Sequence, residues 1–551
     1  MRGSGPRIPG GVGVTRGDLE WGTIPRLVHR AAERFGDREA VVDGDERLTF
    51  DALAGRVRLA ARAAIAAGIE PGDRVAVWAP NVWEWIVAAL GALAAGGVLV
   101  PVNTRFKGRE AAYVLEKSRA RLLFTVTGFL DTDYVALLEE ARGEYPLKEL
   151  ETIVVLRGDA PPGTVSWPDF LERGASVGEG EVAKRSSAVT PDDVSDIIFT
   201  SGTTGRPKGV MTTHGQTLRV FEVWSRGVGL QEGDRYLVVN PFFHTFGYKA
   251  GALACLMRGA TVYPQAVFDA GEVLRMIDRY RITVLPGPPT LYQSILDHPD
   301  RARYDLSSLR LAVTGAAVVP VELIRRMRAE LSFDVILTAY GLTESTGTAT
   351  MCKPDDDPET IALTSGGAIE GTEVRVVDDA GNPVAAGPPG EIVVRGYNVM
   401  KGYLDDPQAT ADAIDSDGWL HTGDIGVMDE RGYVRITDRK KDMFIVGGFN
   451  VYPAEVENEL LRHEKITQAA VVGGPDERFG EVGVAFVVPK PGVEIDPEEI
   501  IAWARDRIAN YKVPRRVEVV DALPLNASGK VLKYELRERA SKTVAGQGIP
   551  R

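Results

Sequence analysis

The chain has 551 residues, enough for about three or four folding units at roughly 150 residues each. Its 44% apolar and 26% charged residues are ordinary for a soluble globular protein, and a core of that size needs no disulfide or metal support. A net charge of −13 argues against a general nucleic-acid binder, which carries a basic face, but allows an anionic substrate in a local basic pocket.

Met1 to Gly13 is rich in Gly, Pro and Arg and lacks the apolar segment of a secretory signal. No run of about 18 apolar residues follows, so a transmembrane segment is not expected. Cys255 and Cys352 form no motif, which favours two buried small hydrophobes in a reducing cytoplasm over a disulfide. Pro25–Phe35 reads as an amphipathic helix, Glu39–Val42 as a short strand, and Thr49 as the cap of an Ala-rich helix reaching Ala67. Arg74–Trp78 is an apolar strand, and Ile86–Val102 a buried helix running into a strand. This alternation indicates βαβ units and a largely parallel sheet. Residues 144–191 read as surface loop around a strand at Ile153–Leu156. A second α/β series runs from Ser195 to about Leu337, with strands at Tyr236–Val239, Ala260–Tyr263, Val284–Pro286 and Leu311–Thr314. From Gly371 to Arg435 short strands joined by Gly, Asp and Asn turns suggest an antiparallel subdomain or distorted barrel. The stretch from about Asp442 has the size of a separate α+β domain, with helices opening at Pro453 and Pro497 and strands at Ala469–Val472 and Val482–Val488.

The most informative segment is Thr200-Ser-Gly-Thr-Thr-Gly-Arg-Pro-Lys-Gly209, between an apolar strand at Asp196–Phe199 and a helix expected near Thr213. Its glycines, hydroxyls and terminal Lys208 suit polyphosphate: backbone N–H groups form an anion nest, hydroxyls donate and the ammonium neutralises. The spacing is not that of a Walker A loop, and no dinucleotide fingerprint precedes a helix. Taken alone, the segment is also compatible with an ordinary polar loop.

The loop resembles the signature of the adenylate-forming superfamily, which holds acyl-CoA synthetases, peptide-synthetase adenylation domains and firefly-type luciferases. Supporting segments lie in the family's order: Asn240-Pro-Phe-Phe-His-Thr-Phe-Gly247, Tyr340-Gly-Leu-Thr-Glu344, Trp419-Leu-His-Thr-Gly-Asp424, Asp438-Arg-Lys-Lys441 and Pro524-Leu-Asn-Ala-Ser-Gly-Lys530. The likeness spans Ile24 to Arg539. It implies an α/β fold whose large N-terminal body, residues 1–438, holds two α/β subdomains (about 1–190 and 191–370) and a β-barrel-like one (371–438). A hinge at 439–441 then leads to a small mobile α+β domain, 442–551.

The resemblance implies a two-step reaction with ATP, Mg²⁺ and coenzyme A. A carboxylate attacks the α-phosphate, and a thiol then displaces AMP. For ATP it points to Thr200, Ser201, Gly202, Thr203, Thr204, Gly205 and Lys208 at the phosphates, and to Gly315, Ala316, Ala317, Ala339, Tyr340 and Gly341 around adenine, with the Tyr340 face suited to stacking. Thr343 can donate to the α-phosphate. Glu344 reads as the metal ligand, because a carboxylate beside phosphate is repulsive unless a cation bridges them. Asp424 is expected at the ribose hydroxyls with Arg439. Lys530 is expected to bridge the substrate carboxylate and α-phosphate as the principal catalytic cation. Lys441 marks the hinge, and Gly447 and Gly448 the loop that serves the CoA step. Taken singly, each has a plainer reading: a Thr-Glu pair starts helices, a turn Asp is solvated, and a loop Lys is a surface charge.

His244 stands where amino-acid-activating members carry an Asp, which disfavours an amino-acid substrate and suggests a role in gating the acid pocket or contacting the carboxylate. Phe246, Tyr248, Lys249, Pro288 and Thr290 are expected to wall that pocket. Lys249 is expected either to donate to a substrate ketone or hydroxyl or to point to solvent or phosphate. Leu237–Gly259, Ile282–Arg301 and Leu306–Cys352 are similar to actinobacterial CoA ligases of steroid degradation, which activate the propanoate side chain of a methylated dioxo-indane. Competing expectations are a medium-chain fatty-acid or aryl-acid CoA ligase, an inactive homologue serving as a binding protein, and a luciferase-like oxidase. Partners are expected to be small molecules, without nucleic acid, and a homodimer is allowed for.

Overall fold

Thr49 closes the strand Glu46–Thr49 and caps the helix Phe50–Ala66, its hydroxyl accepting from the Ala52 amide at 3.1 Å. That helix packs on Trp83–Ala94, a helix buried along almost its whole length because Trp85, Ile86, Val87, Leu90 and Leu93 face apolar neighbours on every side. The computed structural model describes residues 16–200, 207–315, 319–378, 380–388, 390–439, 444–451, 453–524, 531 and 533–546.

An eight-stranded sheet has the spatial order Gly402–Tyr403, Lys208–Thr213, Val194–Thr200, Val98–Pro101, Arg74–Trp78, Ala120–Thr125, Thr152–Val155 and Val165–Ser166. Its strands from Val194–Thr200 to Val165–Ser166 run parallel, as the βαβ pattern predicts, and the two on the other side pair antiparallel. A second sheet orders Arg235–Val238, Thr261–Pro264, Glu39–Asp43 and Glu46–Thr49. Leu311–Gly315 and Val335–Tyr340 lead a third group, parallel to each other. Val284, expected within a strand, makes only single bridges to Tyr236 and Leu311, and through them links these two groups.

The structure departs from the sequence reading in two further places. Residues 144–191 are more ordered than a loop around one strand. Ser166 caps the helix Trp167–Arg173, whose Trp167 and Phe170 rings meet Phe124, and Glu179–Ala188 is also helical. The helix expected near Thr213 is present, but the stretch before it is a strand that was not expected. Lys208–Thr213 folds back as a strand on Val194–Thr200, and the helix His214–Gly227 starts only after it, with Thr213 and Gln216 forming a reciprocal cap. The strand was hard to see because its Gly209 and three flanking hydroxyl or cationic residues carry little apolar alternation.

Thr372–Val377, Gly390–Gly396, Leu420–Met428 and Val434–Arg439 form the expected antiparallel sheet. The C-terminal sheet is built on the long hairpin Ile466–Asp476/Gly480–Pro489, flanked by Phe444–Val446, Phe449–Val451 and Arg516–Val519. Helices Pro453–Leu460 and Pro497–Arg505 open at the expected prolines. Lys512 ties this part to the large body, reaching Glu110 at 2.8 Å and Glu455 at 2.6 Å while itself 1% exposed. Beside it Tyr511 meets Asn103 at 3.3 Å, and the Arg105 guanidinium lies 3.9 Å from the Phe449 ring centre. Among the described residues no helix is long and apolar enough to cross a membrane.

Candidate active site

Thr200 ends one strand of the phosphate-loop hairpin and Lys208 begins the other, directly opposite it. The connection carrying Ser201, Gly202, Thr203, Thr204 and Gly205 lies outside the described residues. Facing the hairpin is the turn Tyr340–Thr346. Gly341 is required there, because a Cβ would sit 2.4 Å from the Gly347 carbonyl oxygen. The turn tightens into a single 3₁₀ turn over Thr343–Ser345, closed by the Ser345 hydroxyl accepting from the Leu342 amide at 3.1 Å. Thr343 is buried within it.

The turn brings Glu344 to the hairpin. Its Oε1 accepts from the Tyr403 hydroxyl at 2.9 Å and from Thr200 Oγ1 at 3.4 Å, and Lys208 Nζ lies 4.9 Å from the Tyr403 ring centre. Tyr403 was not foreseen. It sits in a two-residue strand that pairs with Val210 and Met211, and nothing in its local sequence marks it. The donor set of one carboxylate among hydroxyl oxygens suits a hard cation that keeps most of its waters, so Glu344 would hold Mg²⁺. Among the described residues no cluster of three His, Cys, Asp or Glu could hold a metal by itself.

On the adjoining strand, Tyr340 donates its hydroxyl to Asp424 Oδ2 at 2.6 Å, and both residues are buried. That bond fixes the Tyr340 ring plane and leaves its face as the flat surface. Asp424 lies opposite Arg439 in the antiparallel pairing of Leu420–Met428 with Val434–Arg439, and the Arg439 side chain lies outside the described residues. Glu391, also unforeseen, holds the turn before Asp424, accepting from the Gly423 amide at 3.0 Å with His421 Nδ1 at 3.2 Å. Gly315 ends its strand level with Ala339, where a Cβ would press to 2.8 Å from the Ala339 oxygen. Ala316 and Ala317 lie outside the described residues, as do Lys441 and Lys530.

The acid-pocket segment is pinned before it turns. Asn81 donates to the Val238 and Asn240 carbonyls at 3.0 and 2.9 Å and accepts from the Phe242 amide at 2.7 Å, while Asn240 donates to the Pro286 carbonyl at 3.0 Å. His244 then caps a short helix, its Nδ1 accepting from the Phe246 amide at 3.3 Å. Its ring is reachable by solvent yet enclosed by protein, and that desolvation lowers its pKa below the usual 6.5, favouring a neutral imidazole. Phe246 is half-buried, edge-on to Trp224. Pro288 is half-buried before the helix Pro289–Leu296, and Thr290 on that helix is exposed.

Two expected wall residues face elsewhere. Tyr248 is buried against Trp85, with ring centres 5.5 Å apart. Lys249 points neither to a substrate nor to solvent, because it is fully buried and its ammonium lies 2.8 Å from Asp196. The cause is the π-helical path of Tyr248–Leu253, which turns both side chains toward the core. Gly447 and Gly448 both have left-handed φ, 55° and 85°, and a Cβ on Gly448 would lie 3.5 Å from Pro288. The glycine pair therefore abuts the expected acid-pocket wall.

A hairpin bearing Thr200 and Lys208, the Glu344 carboxylate and the Tyr340–Asp424 pair thus lie on adjoining segments, a set of hydroxyls, a cation and carboxylates of the kind a nucleotide's phosphates, metal and sugar require. The AMP-binding enzyme family matches residues 28–404, and the AMP-binding enzyme C-terminal domain matches residues 455–530. The chain belongs to the AMP-binding enzyme family. Among its relatives, the 7a-methyl-1,5-dioxo-octahydroindenyl-propanoyl:CoA ligase of Rhodococcus jostii is 54% identical over 94% of this chain and 98% of its own. The Mycobacterium tuberculosis ligase of the same name is 52% identical, also over 94% and 98%. Among solved structures, the o-succinylbenzoate CoA synthetase of Bacillus subtilis, bound to a product analogue, superposes with a TM-score of 0.78 at 28% identity, covering 93% of this chain and 98% of that one.

Proposed function

We propose that the protein is an ATP-dependent acid–CoA ligase of the cytoplasm, acting on the bicyclic dioxo-octahydroindene propanoate for which its two named relatives are called. The observation that carries this reading is identity above half to both ligases over nearly the whole chain.

In the first half-reaction an oxygen of the substrate carboxylate attacks the α-phosphorus of ATP, the bond to the β-phosphate oxygen breaks, and pyrophosphate leaves. Lys208 and the loop after Thr200 would hold the phosphates, Tyr340 and Gly315 the adenine, and Asp424 with Arg439 the ribose. Glu344 would hold Mg²⁺, which would supply neutralising positive charge for the phosphates. Lys530 would neutralise the two anions that must meet. A neutral His244 suits this step, because it can line the carboxylate's path without pairing to an ammonium group.

In the second half-reaction the CoA thiol loses its proton, its sulfur attacks the acyl carbon, and AMP leaves. The Gly447–Gly448 pair beside Pro288 would let the pantetheine arm approach closely, since neither residue has a side chain to displace. That proximity supports assigning the arrangement seen here to the thioester-forming half, with residues 439–441 as the pivot.

The test is pyrophosphate release over a panel of acids in the presence of CoA. The bicyclic propanoate should give the highest kcat/KM, and hexanoate or a cinnamate exceeding it by a wide margin would overturn the substrate assignment. Absence of acid-dependent AMP formation with every acid of the panel would return the chain to a binding protein.

A further inference from the structure

The phosphate hairpin and the acid-pocket segment are distant in sequence yet share one buried charge pair. Lys249 and Asp196 are both 0% exposed, with Nζ 2.8 Å from Oδ1. The ammonium also donates to Thr212 Oγ1 at 2.7 Å and Thr217 Oγ1 at 3.1 Å. Asp196 accepts in addition from Thr212 Oγ1 at 2.8 Å and Ser195 Oγ at 2.7 Å. All three ammonium protons thus have acceptors, and the carboxylate is equally well served.

The placement of these groups matters more than their number. Asp196 lies on the strand that ends at Thr200, and Thr212 on the strand that begins at Lys208. Thr217 lies on the helix His214–Gly227. Lys249 reaches all three from the π-helical stretch Tyr248–Leu253, which continues the short helix Thr245–Gly247 that His244 caps. Turns of that kind are rare and recur at functional sites. A buried ion pair is also a poor device for stability alone, since well-packed apolar residues of similar volume often serve as well or better.

We infer that Lys249 is a positioning residue that locks the acid-binding segment onto both strands of the phosphate hairpin. The lock sets the distance between the carboxylate near His244 and the phosphates at Thr200 and Lys208. Lys249 touches neither substrate. A misplacement of about 1 Å at the reacting atoms can cost on the order of 100-fold in rate, so a rigid strut behind the site has a kinetic consequence that its burial alone does not reveal. The inference rests on the acid–CoA ligase reading.

The experiment compares Lys249→Met with the double variant Asp196→Asn/Lys249→Met, measuring melting temperature and pyrophosphate release at saturating acid and MgATP. The single variant leaves a buried carboxylate uncompensated and should lose both stability and activity. The double variant removes both charges, so its melting temperature should return most of the way to that of the parent. Its kcat for adenylation should stay about 10- to 100-fold down, with KM for MgATP within about threefold of the parent, because the phosphate contacts themselves are intact. Recovery of kcat in step with melting temperature would overturn the inference and leave the pair purely structural. If the double variant does not fold, Thr217→Val carries the test, since it deletes one acceptor and keeps both charges. A three- to tenfold lower kcat, on the order of one lost hydrogen bond, in a variant that remains fully folded at the assay temperature supports the strut, and parental kinetics overturn it. A parent protein that releases no pyrophosphate with any acid would sink the ligase reading, whereas an active parent with parallel recovery sinks this inference alone.

Discussion

Glu344 reaches its place through a glycine-dependent turn and meets hydroxyls from two other segments, Thr200 and Tyr403. A carboxylate so placed can bind a cation only if it stays aimed, and the Tyr403 hydroxyl holds its Oε1 in place. Tyr403→Phe should therefore lower kcat/KM for MgATP by about tenfold in a pyrophosphate assay, at the low end of a hydrogen bond to a charged group. KM for the acid should change little, and an equal rise in both KM values would argue against the assignment. Lys530→Ala should slow adenylate formation far more than it weakens ATP binding. Rapid-quench and equilibrium ATP-binding measurements separate the two, and equal losses would contradict a bridging role. Glu344 and Lys530 stand in segments that the family resemblance picks out together. Tyr403 and Glu391 do not, because their importance comes from partners remote in sequence.

His214 shows what the elements themselves add. It opens the helix His214–Gly227, where its Nδ1 accepts from the Ile24 amide at 3.3 Å. Burial holds its pKa down to about 4, from an ordinary 6.5. The unfolded chain therefore binds more protons than the folded one between these values, so stability rises with pH across that window. The contribution is present in full above about pH 6.5 and is lost as pH falls toward 4, amounting to roughly 3 kcal/mol at most. Chemical denaturation at pH 7 and pH 5 should show this slope, and His214→Gln should flatten it. An unchanged slope would show that the acid sensitivity arises elsewhere. The same region marks the reach of pattern reading. The helix start near Thr213 was legible, whereas the strand Lys208–Thr213 before it was not, since it exists through pairing with Val194–Thr200 on one side and Gly402–Tyr403 on the other.

At the scale of the whole molecule, the small C-terminal part is held to the large body through Lys512, buried between Glu110 and Glu455. Burial raises the pKa of Glu455 while the Lys512 ammonium opposes that shift, and the two carboxylates raise the Lys512 pKa. Lys512→Met would leave two carboxylates facing each other across the contact without a cation, a costly arrangement in a low-dielectric interior. If the arrangement seen here serves the thioester-forming half, this variant should slow CoA-thioester formation by about tenfold or more. Pyrophosphate release in the first half-reaction should stay within about threefold of the parent. The two half-reactions can be followed separately by pyrophosphate release and by thioester chromatography. Equal loss in both would point to general destabilisation.

The sequence by itself determined the broad α/β architecture and most of the helices and strands, through apolar periodicity and capping residues such as Thr49. It also marked the candidate nucleotide residues, Thr200–Gly209, Thr343–Glu344 and Asp424, but only as a set, because each short stretch alone has a plainer reading and their common order along the chain carries the resemblance. Only the tertiary structure decided which of those groups meet, that Tyr340 donates to Asp424 and Tyr403 to Glu344. Only it turned Lys249 away from the acid pocket and onto Asp196. The physical reason is the same in each case. A residue's propensities and charge are properties of its own stretch of chain, whereas the partner of a buried charge is chosen by how distant segments pack, and in water-free surroundings that partner decides what the charge can do.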